Sequence, residues 1–321
     1  MFEEPTNQCE KWRKCGSWCL LVACLIAGWG PAWAQAPMVG EGITEKLDQD
    51  VYVIPDRRVN LVPNVGIIVG ERGVLVVDTG MGPANAERVL REVRRITSKE
   101  IRYLTITHFH PEHSMGAQAF PPGTTIVVPK AQKEELAEKG NAYIQMFTGF
   151  SPEIAALLRT VKTVAPHIAY AGEAEIDLGG GMVVQLFSCG PAHTRGDNFV
   201  YLPKQKILFG GDVVVNRFFP IMPDADASPR GWLSALERLE KLGAVKVVPG
   251  HGAVGDASLI QALKEYLVWL RGRVQALDAE GKPLPDIVAL LTPEVRAKYK
   301  DWDNPEWIKN AIEHLHAELR Q

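Results

Sequence analysis

The sequence predicts a layered α/β sandwich with a helical carboxyl-terminal region. Short apolar strands recur in both halves of the chain, an amphipathic helix accompanies each set, and several strands follow one another with no helix between them. The last feature argues against a purely parallel, doubly wound sheet. Residues 51–54, 65–69 and 74–77 are short runs dominated by valine and isoleucine, and Glu71-Arg72-Gly73 between the last two fits a hairpin connection. Residues 85–96 carry apolar positions at helical spacing, with Asn85 placed to cap the start. Strands are expected at 102–107 and 125–128, then helices at about 131–147 and 152–160. The segment 131–164 is an inserted helical region suited to covering one end of a site. The second half repeats the pattern, with strands at 182–187, 198–202, 206–209 and 245–248 and a helix at about 232–242. From 256 onward the pattern is helical, at about 257–276, 292–299 and 305–319.

Composition narrows the function classes. The chain has 321 residues, 35 basic and 38 acidic, for a formal charge of −3, so it offers no positive field for nucleic acid. Hydrophobic and charged fractions of 46% and 23% are those of a folded protein with an ordinary core. Its 22 prolines and 29 glycines follow no period, which excludes a fibrous protein.

The first 34 residues read as a secretory leader rather than part of the fold. Lys11, Arg13 and Lys14 precede an apolar run from Trp18 to Trp29, followed by Gly30-Pro31 and the small-residue pattern Ala32-Trp33-Ala34. That is the basic, apolar, A-x-A order of a signal peptide, with cleavage expected after Ala34 and a periplasmic mature protein. The apolar run is 12 residues, whereas a spanning helix needs roughly 20, so no stable membrane span is expected. Leu21-Val22-Ala23-Cys24 offers an alternative, a lipid anchor at Cys24. Removal of the leader takes three basic and three acidic residues and four of the five cysteines. Cys189 then remains alone, without a disulfide partner, and is expected to act as a small buried apolar residue.

The chemistry concentrates in Thr107-His108-Phe109-His110-Pro111-Glu112-His113. In an extended chain His108 and His110 share a face. Pro111 keeps His110 extended and favours a helix's first turn, so Glu112 and His113 begin a helix expected to run through Ala119. Strand end and helix start therefore converge on one small volume. Three further segments each place a ligand-competent residue just past a strand: His193 in Gly190-Pro191-Ala192-His193, Asp212 after Gly210-Gly211, and His251 after Pro249-Gly250. Sites in open α/β folds collect at such strand ends. His167, His314 and His316 have no motif around them and are expected to be structural or surface residues.

With these motifs in the order Val77-Asp78-Thr79-Gly80, His108-x-His110-x-Glu112-His113, His193, Asp212 and His251, the chain resembles the metallo-β-lactamase-fold hydrolase superfamily over roughly residues 45–255. The resemblance implies a four-layer αβ/βα sandwich over 35–255, with 256–321 as a helical extension packed on it. It implies a first zinc on His108, His110 and His193, a second on Glu112, His113 and His251, with Asp212 bridging and Asp78 orienting the site. Such a pair generates a hydroxide that attacks an acyl carbonyl in a lactam, lactone, ester or thioester, with Asp212 and Glu112 as the catalytic carboxylates. Arg217, five residues past Asp212, stands where related enzymes hold a basic substrate clamp. Aspartate at 212 points away from the resistance enzymes that carry cysteine there.

Glu112 departs from the family's aspartate, and its extra methylene leaves the second site shifted or weakened. The leader, the Pro-Glu-His variant and the tryptophan-rich tail (Trp269, Trp302, Trp307) are also similar to periplasmic branches associated with quinoprotein dehydrogenases, which leaves room for a periplasmic partner on the carboxyl-terminal helices. A mononuclear iron oxidoreductase of the persulfide-dioxygenase kind is the alternative on the same fold, and the full ligand set argues against it. Imidazoles bind zinc only when deprotonated, so activity is expected to fall below about pH 6.5, the reference imidazole value.

Overall fold

The computed structural model describes residues 36–320, so the expected leader and Cys24 lie outside the described residues. Strands β1 (Glu45–Asp48), β2 (Val51–Ile54), β3 (Val65–Gly70) and β4 (Gly73–Val77) form an antiparallel meander. Helix α1 (Gly82–Ile96) then carries the chain to β5 (Ile101–Thr105), which pairs parallel to β4. A short turn of helix, α2 (Pro111–Ser114), leads to β6 (Thr125–Pro129), and helices α3 (Lys130–Thr148) and α4 (Pro152–Leu158) lead to β7 (Ile168–Tyr170), both strands parallel to β5. The first sheet is thus β1 to β7 in chain order.

The second sheet has five strands in the order β12-β11-β10-β9-β8. Strands β8 (Glu173–Asp177), β9 (Val183–Phe187), β10 (Phe199–Leu202) and β11 (Ile207–Phe209) are antiparallel neighbours. After helix α5 (Pro229–Glu240), β12 (Lys246–Val248) joins β11 in parallel. Helices α6 (Ser258–Ala279), α7 (Leu284–Lys298) and α8 (Ile308–Glu318) follow.

Three apolar cores make this a four-layer sandwich. Val53, Ile68, Leu75 and Val77 of the first sheet meet Val184, Leu186, Val200 and Phe209 of the second, all buried, between the sheets. The other face of the first sheet packs Ile67, Val76 and Leu104 against Ala86, Val89 and Val93 of α1. The other face of the second packs Phe199, Leu208 and Val247 against Trp232 and Leu236 of α5, Leu263 and Leu267 of α6, and Ile312 and Leu315 of α8. Burying each such Val, Leu or Ile is worth about 1.5–3 kcal/mol. The tail therefore completes the outer layer on the second sheet. Because β4 and β5, then β9, β11 and β12, run the same way within their sheets, the loops after them open on the same edge of each sheet.

Several local expectations need correction. Helix α1 starts at Gly82, and Asn85 does not cap it. The Asn85 amide instead accepts from Val39 N at 2.7 Å and donates to Pro37 O at 2.9 Å, fastening the segment before β1 to the helix. The helix expected through Ala119 stops at Ser114 and resumes as a separate turn at Ala117–Ala119. Helix α7 begins at Leu284, not 292: Pro285 occupies its first turn, and Pro293 lies within the helix rather than at its start. Strands β1, β7 and β8 were not expected: Glu45–Asp48 and Glu173–Asp177 are rich in charge, as edge strands commonly are. Cys189 is half-buried beside the second-sheet core, and burial pushes its thiol up. His316 is buried and bonds Asp278 at 3.1 Å, and His167 Nδ1 accepts from Ile126 N. Among the described residues no helix is long and apolar enough to cross a membrane.

Candidate metal centre

The chain leaves β4 at Asp78 in the left-handed region, φ +67°. This turn aims the carboxylate back at the next loop, where Oδ1 accepts from Thr107 N at 2.7 Å and Oδ2 accepts from Thr107 Oγ1 at 2.9 Å. Oδ2 also lies 2.9 Å from His113 Nδ1, which fixes the ring so that its Nε2 faces Asp212 Oδ1 at 3.4 Å. As the sequence predicts, His110 is extended (φ −59°, ψ 150°) and Pro111 opens the helix turn that presents Glu112 and His113.

His108 Nε2, His110 Nδ1 and His193 Nε2 form a triangle with edges of 3.0, 3.1 and 3.3 Å. Each ring is set from behind: His108 Nδ1 lies 3.2 Å from Thr107 Oγ1, His193 Nδ1 donates to Ile221 O at 2.7 Å, and Tyr143 of α3 stacks on His110 at 4.7 Å between centroids. The inserted helices thus reach the centre through Tyr143. His251 Nδ1 donates to Val62 O at 3.0 Å, leaving Nε2 3.6 Å from Asp212 Oδ2, while His193 Nε2 lies 3.8 Å from the same oxygen. Asp212 sits between the two sides. Two glycines make room for it: a Cβ on Gly250 would lie 2.0 Å from Asp212 Oδ1, and Gly211 turns at φ +51° against Thr107.

The seven predicted metal ligands fall into three overlapping groups of ligand atoms within 4.8 Å of one another: His108, His110 and His193; His108, His113 and Asp212; Glu112, His113 and His251. These donors fit zinc. Tetrahedral bonds of about 2.0–2.1 Å place nitrogens about 3.3 Å apart, close to the triangle's edges. Glu112 Oε2, His113 Nε2 and Asp212 Oδ1 are buried without a hydrogen-bond partner among the described residues, a cost that coordination removes. Arg217 lies outside this convergence. Its backbone is left-handed at φ +60°, and its exposed side chain makes no salt bridge among the described residues.

Electrostatics differ across the centre. Burial, reinforced by the neighbouring imidazoles, pushes His108 and His110 well below the usual imidazole range, and burial lowers His193 despite the pull of Asp212. Burial also opposes a charge on His113, yet the Asp212 and Asp78 carboxylates outweigh it and raise His113 to about 9. Burial raises Glu112, while His251, His113 and His193 hold Asp212 below the usual range against burial. Without metal, burial thus favours the neutral form of His108, His110 and His193, while the carboxylates beside His113 favour its charged form.

Sequence reasoning missed Asp56, Asn64 and Tyr143. The first two are buried polar residues in the β2–β3 loop that bond the backbone around His251, and nothing in their local sequence pairs them with a segment 190 residues away. Tyr143 reads in sequence as one apolar helix position among others.

The sequence profile of the metallo-beta-lactamase superfamily matches residues 58–251. The chain is 27% identical over 203 residues to a type 2 metallo-beta-lactamase of Bacillus cereus, covering 62% of this chain and 71% of that one. It is 23% identical over 219 residues to a linear primary-alkylsulfatase of a Pseudomonas species, covering 58% of this chain and 40% of the relative. A solved metallo-beta-lactamase from Pontibacter korlensis shares the fold, with a TM-score of 0.58, 24% identity and coverage of 70% and 97%. The chain belongs to the metallo-β-lactamase superfamily of hydrolases.

Proposed function

We propose that this is an exported, zinc-dependent hydrolase that attacks the acyl carbonyl of a lactam, lactone, ester or thioester. The observation that carries the reading is the convergence of two donor groups, His108/His110/His193 and Glu112/His113/His251, on either side of one carboxylate, Asp212. The first group would hold one zinc, the second another, and Asp212 would face both. Bound zinc supplies Lewis acidity, polarising a carbonyl and lowering the pKa of water from 15.7 to about 7. The chain's own contribution is positional. Asp78 and Thr107 orient His113 and His108, the Ile221 and Val62 carbonyls orient His193 and His251, and Tyr143 and Phe109 keep bulk water from His110. Asp212 and Glu112 are the carboxylates placed to hold or move a proton beside the reacting carbonyl. The β-lactamase relative supports attack on an acyl carbonyl, and the converging ligand groups are histidines and carboxylates, without a cysteine.

The test is a hydrolysis screen of zinc-loaded protein against β-lactams, lactones, thioesters, aryl esters and alkyl sulfates. Chelator-sensitive, zinc-restored turnover of an acyl substrate is expected. Turnover confined to alkyl sulfates, or full activity in metal-free protein, would refute the acyl reading. Iron as the sole metal in untagged native protein would favour oxygenase chemistry. Export rests on the leader, and amino-terminal sequencing of native protein is expected to begin at Gln35; an intact Met1 or a lipid on Cys24 would overturn it.

A further inference from the structure

Four segments distant in sequence close a ring around His251. Asp56 Oδ2 accepts from Gly252 N at 2.7 Å, and Asn64, whose Oδ1 accepts from Asp56 N, donates through Nδ2 to Pro249 O at 2.9 Å and Gly252 O at 2.8 Å. On the other side Asn216 N donates to His251 O at 2.9 Å, and Asn216 Nδ2 donates to Ala253 O at 2.7 Å. The carboxyl-terminal extension enters through Asp303, which lies between α7 and α8. Its N–H donates to Arg217 O at 2.9 Å, and its carbonyl accepts from Phe219 N at 3.0 Å, forming an isolated parallel bridge with Phe218. Arg58 of the β2–β3 loop shuts the ring. It pairs with the Asp303 carboxylate, donates to Asn216 O and Arg217 O at 3.3 Å each, and lies 4.6 Å over the Phe218 ring. Phe218 in turn stands 6.1 Å from the His251 ring.

We propose that Arg58 and the tail residue Asp303 are positioning residues for His251, so that the carboxyl-terminal extension completes the Glu112/His113/His251 side of the centre. The inference rests on the two-part metal centre proposed above. Arg58 and Arg217 both sit in the left-handed region, φ +56° and +60°, a conformation that non-glycine residues keep only when their surroundings impose it. Here the two carbonyls that Arg58 grips and the Asp303 bridge impose it at Arg217. The Arg58–Asp303 ion pair is itself half-exposed, with side-chain exposures of 38% and 52%, so it contributes little as a charge pair. Its role lies in holding the fork of Arg58 on the two carbonyls. Among the described residues none of the ring's hydrogen bonds is made to His108, His110 or His193.

The experiment is stepwise zinc titration of the metal-stripped full chain against a chromophoric chelator. Arg58→Ala is expected to weaken the second zinc by about three- to tenfold, at or below the range of about 10–100-fold seen for groups bonded directly to a ligand. The first zinc stays within twofold. Arg58→Lys keeps the charge but loses the fork, and is expected to fall between wild type and Arg58→Ala. Asp303→Ala, a milder change that retains the backbone bridge, is expected to shift the same step in the same direction. If Arg58→Ala changes the second step by less than threefold, or weakens both steps equally, the inference is wrong while the dinuclear reading stands. A wild-type protein that takes up a single zinc would overturn both.

Discussion

His108, His110 and His193 are backed by regular elements in addition to the loop groups Thr107 and Ile221, whereas His251 is held by loops and a tail bridge. On the first side, β5 delivers His108, Tyr143 of α3 stacks on His110, and Trp232 of α5 stands 5.9 Å from His193 with its Nε1–H on Val213 O. On the second side, Glu112 comes from a four-residue helix turn, and His251 depends on backbone bonds from Val62, Asp56, Asn64 and Asn216. The difference teaches that one centre can be pre-formed on one side and conditional on the other. An all-imidazole triangle kept neutral by burial needs no rearrangement to accept a cation. On the other side burial raises Glu112 and the Asp212 and Asp78 carboxylates raise His113, so cation binding there competes with protons.

The largest break in this comparison is expected from His193→Ala. Removing one corner of the triangle should abolish the tighter zinc and cut turnover by more than the about 10–100-fold typical of outer positioning groups. Metal content and kcat/KM of the purified variant check this, and retained zinc with near-normal turnover would show that the triangle is not the tighter site.

Asp78→Asn is expected to act next most strongly and on the other side. It removes the carboxylate that fixes His113 and Thr107, so zinc affinity of the second step should fall by about 10–100-fold with a smaller change in the first. Equal losses in both steps would mean that Asp78 serves the loop as a whole.

The smallest effect concerns pH and stability without metal. His113 is raised from its ordinary value to about 9, so its contribution to folding is fully present below the unfolded imidazole value near 6.5. That contribution is lost as pH rises through about 9. The Tm of metal-stripped protein should therefore decline between these values, and Asp78→Asn should flatten the decline. A profile identical in the two proteins would remove His113 as its source.

The asymmetry also marks what a sequence can disclose. The ligand motifs were legible because each stands directly after an apolar strand, and Gly210-Gly211 and Pro249-Gly250 announce the close approaches that Asp212 requires. The sandwich was legible because the buried strands are rich in valine, isoleucine, leucine and aromatic residues. The charged edge strands β1 and β8 lack that pattern, and Asn85, a residue type suited to capping, instead serves a tertiary contact with Pro37 and Val39. The ring around His251 joins residues 58, 216, 251 and 303, and no local spacing encodes such a meeting.

The most direct test of the unequal centre is a zinc titration of metal-stripped wild type followed by calorimetry, with Glu112→Ala alongside. Two equivalents should bind, the first at least about tenfold tighter than the second, a gap of one to two ligand-positioning effects. Glu112→Ala should lose or weaken only the second. Two zincs bound with equal affinity, a Glu112→Ala variant that binds both as tightly as wild type, or uptake of one zinc alone would contradict the account.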